Sequence, residues 1–76
     1  MGSEMKLPKV DQQYRHWKGD VYTILCFAQD EQNEQILVVH QGVDGRIWSR
    51  TIGNFMGLAP EHAVVAGTLR FTLVGE

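Results

Sequence analysis

The sequence predicts an all-β domain, specifically a small SH3-like barrel of four to six short strands with one short helical or 3-10 turn. Three observations support this fold class. Short runs of β-branched and aromatic residues recur along the chain, Asp44-Gly45 is a strong hairpin sequence, and no segment has the length and spacing of a long helix. A curled sheet would protect its edges and cover both faces of a central strand, and an OB-like barrel is the second choice.

Residues 20–28 (DVYTILCFA) predict the central strand, because both of their alternating faces are largely apolar. Tyr22, Ile24, Cys26 and Ala28 would share one face, and the intervening residues the other. Cys26 is the sole cysteine, so an internal disulfide and a cysteine-rich metal site are excluded. Its position within this apolar run predicts a buried, inert thiol.

The next two strands are predicted as a hairpin, over residues 36–41 and 46–51, after an exposed polar turn at residues 29–35. A two-residue loop at Asp44 and Gly45 requires positive φ at both positions. The opposed residues would then be Val43 with Arg46, Gln41 with Trp48, Val39 with Arg50, and His40 with Ser49. A longer loop beginning at Gly42 would change this pairing.

The C-terminal part completes the predicted sheet. Residues 52–58 contain two glycines and one asparagine and predict a single helical turn that packs Phe55, and with it Met56, against the sheet. Residues 60–67 predict a loop, with a short edge strand over residues 63–66 as an option. Residues 68–74 predict a half-buried closing strand. Its inward residues would be Leu69, Phe71 and Leu73, and its outward residues Arg70 and Thr72.

The length of 76 residues fits a single domain, which we place at residues 13–76 after a flexible lead-in at residues 1–12. The formal net charge of −2 argues against strong nonspecific binding to nucleic acid, although a local basic patch is compatible with it. No apolar run is long enough to cross a membrane, so no membrane partner is expected. The single thiol fits a cytoplasmic location.

The run Tyr14-Arg15-His16-Trp17-Lys18-Gly19 alternates rings with cationic or titratable groups. In an extended segment Tyr14, His16 and Lys18 would project to one side, and Arg15 and Trp17 to the other. Two interpretations stay open. The rings either fill the core beside a turn at Lys18-Gly19, or form a surface on which a ligand stacks while a cation pairs with its carboxylate or phosphate.

This motif resembles the opening of the small bacterial proteins of domain-of-unknown-function family 1653, which begin with Tyr-Arg-His-x-Lys-Gly. The similarity continues over residues 14–74, through Val38-Val39, Trp48-x-Arg50, Phe55 and Arg70-Phe71. The chain departs from the family pattern at three positions. Asp30, His40 and Thr51 stand where the family usually has His, Tyr and Pro. The resemblance supports the fold, and the biochemical function of the family is itself not established.

The candidate ligand-binding residues are Arg15, His16, Lys18, Trp48 and Arg50. If they converge on one concave, positively biased patch, the domain is a non-catalytic binding module for a small anionic ligand, a nucleotide, RNA or an acidic peptide. One alternative is a structural or assembly protein that forms a homodimer through sheet edges. Another is a small enzyme that uses His16 or His40, although enzyme activity is not expected.

Neither a cofactor nor a metal is expected. The histidines, His16, His40 and His62, have spacings that fit no metal-binding motif.

Whether Tyr14, Trp17 and Trp48 face the core or a ligand stays open at this point.

Overall fold

The computed structural model describes residues 7–75 as one antiparallel sheet of five strands with one short helix. The strands are β1 (Gln13–His16), β2 (Val21–Gln29), β3 (Ile36–Gly42), β4 (Ile47–Thr51) and β5 (Phe71–Leu73), and helix α1 (Ile52–Phe55) follows β4. The strand order is β4-β3-β2-β1-β5, so β4 and β5 are the edges and the sheet does not close into a barrel. The all-β class, the number of strands and the single helical turn are confirmed.

Helix α1 covers one face of the sheet, which we call the inner face. The side chain of Thr51 accepts a hydrogen bond from the Asn54 amide, which caps the helix where β4 ends. The helix buries Phe55 against the sheet residues Ile24 and Val38, and Met56 packs against the same cluster. The prediction that this turn packs Phe55 and Met56 onto the sheet is therefore confirmed.

Strand β2 is central, but its predicted alternation is wrong beyond Ile24 because a β-bulge interrupts the pairing with β3. Ile24 and Cys26 pair with consecutive residues of β3, which leaves Leu25 without an opposite residue. The extra residue reverses the orientation of the second half of the strand, so Phe27 shares the inner face with Ile24.

Cys26 is exposed, and the prediction of a buried thiol is wrong. The bulge turns this side chain to the outer face. Strand β2 is exposed from Cys26 to its end at Gln29, so the predicted cover on both faces stops at Leu25.

The β3–β4 hairpin uses a longer loop than the two-residue turn, and the predicted register is wrong by one residue. The amide of Gly42 donates to the Arg46 carbonyl over 2.9 Å, so residues 43–45 form the loop. Gly45 takes a φ of +89°, whereas Asp44 is not in the left-handed region and its Oδ1 accepts from the Arg46 amide over 3.0 Å. A non-glycine residue is costly at positive φ, which favours the loop that needs only one such position. The observed pairs are Gln41 with Ile47, His40 with Trp48, Val39 with Ser49, and Val38 with Arg50.

The closing strand is shorter than predicted. Phe71 is buried and Leu73 is half-buried, but Leu69 lies before β5 and is 48% exposed, in a bridge opposite Leu58. Arg70 is half-buried instead of pointing outward, because its Nε donates to the Asn54 carbonyl over 3.1 Å. Residues 63–66, the optional edge strand, form no strand.

Residues 1–6 of the predicted lead-in lie outside the described residues. Further along, the amide of Asp11 donates to the Ile24 carbonyl, and the amide of Ile24 donates to the Gln12 carbonyl, each over 2.9 Å. Of the helices in residues 7–75, none is long and apolar enough to cross a membrane.

Candidate functional site

A cavity of about 360 Å³ opens on the inner face, at the end of the sheet that carries the β1–β2 and β3–β4 loops. Its volume lies in the range of small-molecule sites, roughly 300–1,000 Å³. The lining residues are His16, Lys18, Asp20, Tyr22, His40, Trp48, Ser49, Arg50 and Phe71. A second cavity of about 240 Å³ adjoins it and shares Asp20, Tyr22 and Trp48.

Of the predicted site residues, His16, Lys18, Trp48 and Arg50 all line this cavity, and Arg15 does not. Arg15 pairs with Val21 and Thr72 at the position between Tyr14 and His16, so it projects from the opposite face. Its Nη1 donates to the Gly19 carbonyl over 3.4 Å. The five predicted residues therefore do not form one patch, but four of them share one cavity.

The β1–β2 loop orients His16. Gly19, at a φ of +114°, lets its amide donate to the His16 carbonyl over 2.7 Å, and the His16 amide donates to the Asp20 carbonyl over 2.7 Å. The amide of Lys18 then donates to Nδ1 of His16 over 3.1 Å. The glycine and the lysine of the opening motif thus fix the imidazole that precedes them.

The aromatic residues whose role stayed open fall into different places. Tyr14 packs edge-on against Phe55 with ring centroids 5.2 Å apart, so it belongs to the core. Trp17 is half-buried beside the cavity, with Nζ of Lys18 5.4 Å from its ring centroid. Trp48 is 48% exposed at the rim of the cavity.

Sequence reasoning did not include five of the lining residues among the candidate ligand-binding residues, namely Asp20, Tyr22, His40, Ser49 and Phe71. The β3–β4 register places His40 beside Trp48 instead of Ser49, so the Ser49–His40 pair expected from the two-residue loop is absent from the described structure. The sequence feature that favours this register is Asp44, because the longer loop does not require positive φ at this non-glycine residue.

Aromatic rings hold His40 in place. Its ring centroid lies 5.3 Å from that of Tyr22, 5.5 Å from that of Phe55 and 5.7 Å from that of Phe71, each with steeply inclined planes. The residue is only 2% exposed, and its Nδ1 lies 3.0 Å from the Val38 carbonyl oxygen. Its orientation is therefore fixed by packing and by one hydrogen bond.

Helix α1 positions Arg50. The Nη1 of Arg50 donates to Oδ1 of Asn54, and the guanidinium carbon lies 5.5 Å from the centroid of Phe71. Arg70 donates to the backbone carbonyl of the same asparagine. Asn54 thus holds two arginines on one side of the cavity.

The cavity carries more cationic than anionic charge. Lys18 and Arg50 line it together with one carboxylate, Asp20, and within residues 7–75 neither cation forms an ion pair. Acidic residues gather in a different place, the β2–β3 loop, where Asp30, Glu31 and Glu34 surround a shallow depression. About five residues of β2, or roughly 16 Å, separate that loop from Ile24, which is the residue that pairs with His40.

This environment disfavours protonation of both histidines. Burial, followed by the charges of Arg50, Lys18 and Arg70, lowers the pKa of His16 below 6.5, and Asp20 opposes this weakly. Burial also lowers the pKa of His40, with a smaller contribution from Arg50, against the hydrogen bond to Val38. Burial and then Arg70 lower the pKa of Arg50, although an arginine stays charged at neutral pH.

No group of three or more metal-ligating side chains occurs among the residues that the structure describes. His62 is exposed in the loop that follows Pro60 and does not line the cavity that contains His16 and His40. The described part of the chain therefore provides polar and cationic groups for a ligand, and no ready set of metal ligands.

Comparison with known proteins identifies a family whose model matches most of the chain. The family model described as "Protein of unknown function (DUF1653)" matches residues 12–73, which includes every residue that lines the cavity. No curated protein and no solved structure shows significant similarity. Because the match extends over most of the sequence, the chain belongs to this family of unknown function.

Proposed function

We propose that the protein is a non-catalytic binding module whose inner-face cavity takes a small anionic ligand, a molecule with a phosphate or carboxylate group. The observation that carries the proposal is the placement of Lys18 and Arg50 in one cavity without an ion-pair partner among the described residues. Partial burial removes water from the Arg50 guanidinium, and no carboxylate pairs with it among the described residues. A bound anion would accept hydrogen bonds from the guanidinium in place of that water.

The shape of the site supports a ligand with a flat group attached to the anion. Trp48 lies at the rim, and Tyr22 and Trp48 also border the adjoining cavity. A ring that stacks on Trp48 would extend toward that second cavity while the anion stays near Arg50. A nucleoside monophosphate has this combination of groups, and a carboxylate beside an aromatic ring is the nearest equivalent.

Two further observations favour binding over catalysis. Neither His16 nor His40 is hydrogen-bonded to a hydroxyl or thiol within residues 7–75, so no activated nucleophile is assembled. The one cysteine, Cys26, faces outward on the other side of the sheet.

A cytoplasmic location stays a prediction.

Titration of tryptophan fluorescence with adenosine monophosphate tests the proposal. The variant Trp17→Phe leaves Trp48 as the only reporter. We expect saturable quenching that weakens severalfold between about 50 and 200 mM salt, because screening reduces the attraction between charges. Adenosine, which has the ring without the anion, should bind at least tenfold more weakly.

Arg50→Gln and Arg15→Gln form a matched pair for this experiment. Both variants remove one positive charge, but Arg50 lines the cavity and Arg15 projects from the other face. We expect Arg50→Gln to abolish the quenching and Arg15→Gln to retain it within about twofold. Equal loss in both variants would point to a nonspecific charge effect and contradict the proposal.

Self-association is a second candidate, favoured by the free edge of β4. In this strand Ile47 is 59% and Trp48 is 48% exposed, and the sheet is not closed on this side. Sedimentation over a dilution series would detect a homodimer formed through such an edge. A monomer at every concentration would rule this candidate out, and it would leave the binding proposal unaffected.

A further inference from the structure

The two histidines of the cavity carry their protons on different ring nitrogens. Nδ1 of His16 accepts a hydrogen bond from the Lys18 amide, so the neutral ring has its proton on Nε2. Nδ1 of His40 lies 3.0 Å from the Val38 carbonyl oxygen. A carbonyl oxygen only accepts, so Nδ1 of His40 carries the proton and its Nε2 keeps a lone pair. One imidazole therefore has a free donor and the other a free acceptor.

The acceptor on His40 has access to the cavity. Nε2 of His40 makes no hydrogen bond to a described residue, although the residue is only 2% exposed. Within residues 7–75, no side-chain nitrogen or oxygen is fully buried without a partner, so Nε2 retains some accessible surface. The ring lines the cavity and is otherwise enclosed by Tyr22, Phe55 and Phe71. No described residue therefore donates a hydrogen bond to this lone pair.

The surrounding groups keep this acceptor in its neutral form. The groups that face the two imidazoles are Lys18, Asp20, Tyr22, Arg50 and Arg70. Burial lowers the pKa of both histidines, and the neighbouring cations lower it further. Above pH 7 the donor on His16 and the acceptor on His40 are therefore both in place.

We infer that the cavity selects an oxyanion that carries its own hydrogen-bond donor, a protonated oxygen beside the negative charge. This inference rests on the proposed function and specifies the protonation state of the ligand at the same site: a phosphate monoester, whose second pKa is about 6, would bind as its singly protonated form. The anionic oxygens would accept from Arg50 and from Nε2 of His16, while the O–H donates to Nε2 of His40. An anion with acceptors alone leaves that lone pair unpaired in a nearly buried ring, which is unfavourable.

Inorganic phosphate and sulfate test the inference, because they match in shape and differ in one proton. At pH 7.5 phosphate retains at least one O–H, whereas sulfate retains none. Sulfate has at least as much negative charge, so charge alone would favour sulfate. We expect phosphate to bind at least tenfold more tightly in calorimetric titrations of the full chain, a ratio that corresponds to ~1.4 kcal/mol.

The variant His40→Phe removes the acceptor and keeps a ring among Tyr22, Phe55 and Phe71. We expect the ratio of phosphate to sulfate affinity to fall to about one, because neither anion then meets an acceptor at this position. A loss of ring packing alone would weaken both anions equally and leave the ratio unchanged. If His40→Phe does not unfold cooperatively in urea, it is not folded well enough for this comparison. The affinities of the unmodified protein for phosphate and sulfate then still test the inference.

The outcomes separate this inference from the proposed function. Equal binding of phosphate and sulfate, or tighter binding of sulfate, overturns the inference and leaves an anion site in place. Binding of neither anion, with no quenching by adenosine monophosphate, overturns the proposed function and the inference together. Preference for phosphate that persists in His40→Phe shows that another group accepts the proton, which also overturns the assignment to His40.

Discussion

Phe55 of α1 and Phe71 of β5 stack face to face, with ring centroids 4.1 Å apart and planes inclined by 9°. The two residues are 1% and 5% exposed. This contact joins the helix to an edge strand of only three residues, on the face that also forms the cavity. The short strand and the short helix thus depend on one pair of rings for much of their mutual packing.

Phe55→Ala is expected to lower the free energy of unfolding by about 3–5 kcal/mol, because it removes a fully buried ring and leaves a cavity. The free energy of unfolding of a domain of this size is small, so much of the variant should be unfolded at 37 °C. Urea denaturation followed by circular dichroism measures the change. Val43→Ala is the control, since Val43 is 90% exposed and its loss should change stability by less than about 0.5 kcal/mol.

Acidification is expected to destabilise the fold between pH 7.5 and 5.5. Burial lowers the pKa of His40 and His16 below their ordinary 6.5, so the folded state favours the neutral rings. Their contribution to stability is complete above pH 6.5 and is lost as the pH falls from 6.5 through the folded-state pKa, because the unfolded chain takes up protons first. Urea midpoints at the two pH values measure the difference. In His40→Phe the difference should shrink, and an unchanged difference would contradict the contribution of His40.

Gly45→Ala and Gly53→Ala should change stability in opposite directions. Gly45 has a φ of +89°, so an alanine there is strained, and we expect a loss of about 1 kcal/mol. Gly53 lies in α1 without positive φ, and an added Cβ meets nothing within 4 Å. Alanine at that position should raise the free energy of unfolding by up to about 1 kcal/mol. Urea titrations of both variants provide the comparison, and equal effects would contradict the positive φ of Gly45.

Cys26 should react with a thiol reagent in the folded protein nearly as fast as in the urea-unfolded chain. The reason is its exposed position on the outer face, after the bulge in β2. Ellman's reagent at pH 8 gives both rates. Because the label lies on the face opposite the cavity, the labelled protein should retain anion binding within about twofold. Protection of the thiol by a large factor would contradict the exposed position.

Local sequence patterns predicted the fold class well. The β-branched runs that became β2, β3 and β4, and the glycine-rich turn around Phe55, depend on neighbours within a few residues. The mixture of rings and cations at His16, Lys18, Trp48 and Arg50 was also visible in the sequence, and these four residues lie in one cavity.

The remaining features depend on shifts of one residue that composition does not reveal. The bulge at Leu25 exposes Cys26 and turns Phe27 inward, and the longer loop moves Trp48 to a place beside His40. Since side chains alternate along a strand, each shift transfers residues from one face of the sheet to the other. These are choices of register, which packing of the whole sheet determines.

The bulge in β2 also changes how a mutational scan of the inner surface should be designed. A scan that takes every second position from Tyr22 would sample the cavity side at Tyr22 and Ile24, and then cross unnoticed to the outer surface at Cys26 and Ala28. A scan that follows the structure proceeds from Ile24 to Phe27 instead. In this chain, the even-numbered residues of β2 face the inner side before the bulge, and the odd-numbered residues face it after the bulge.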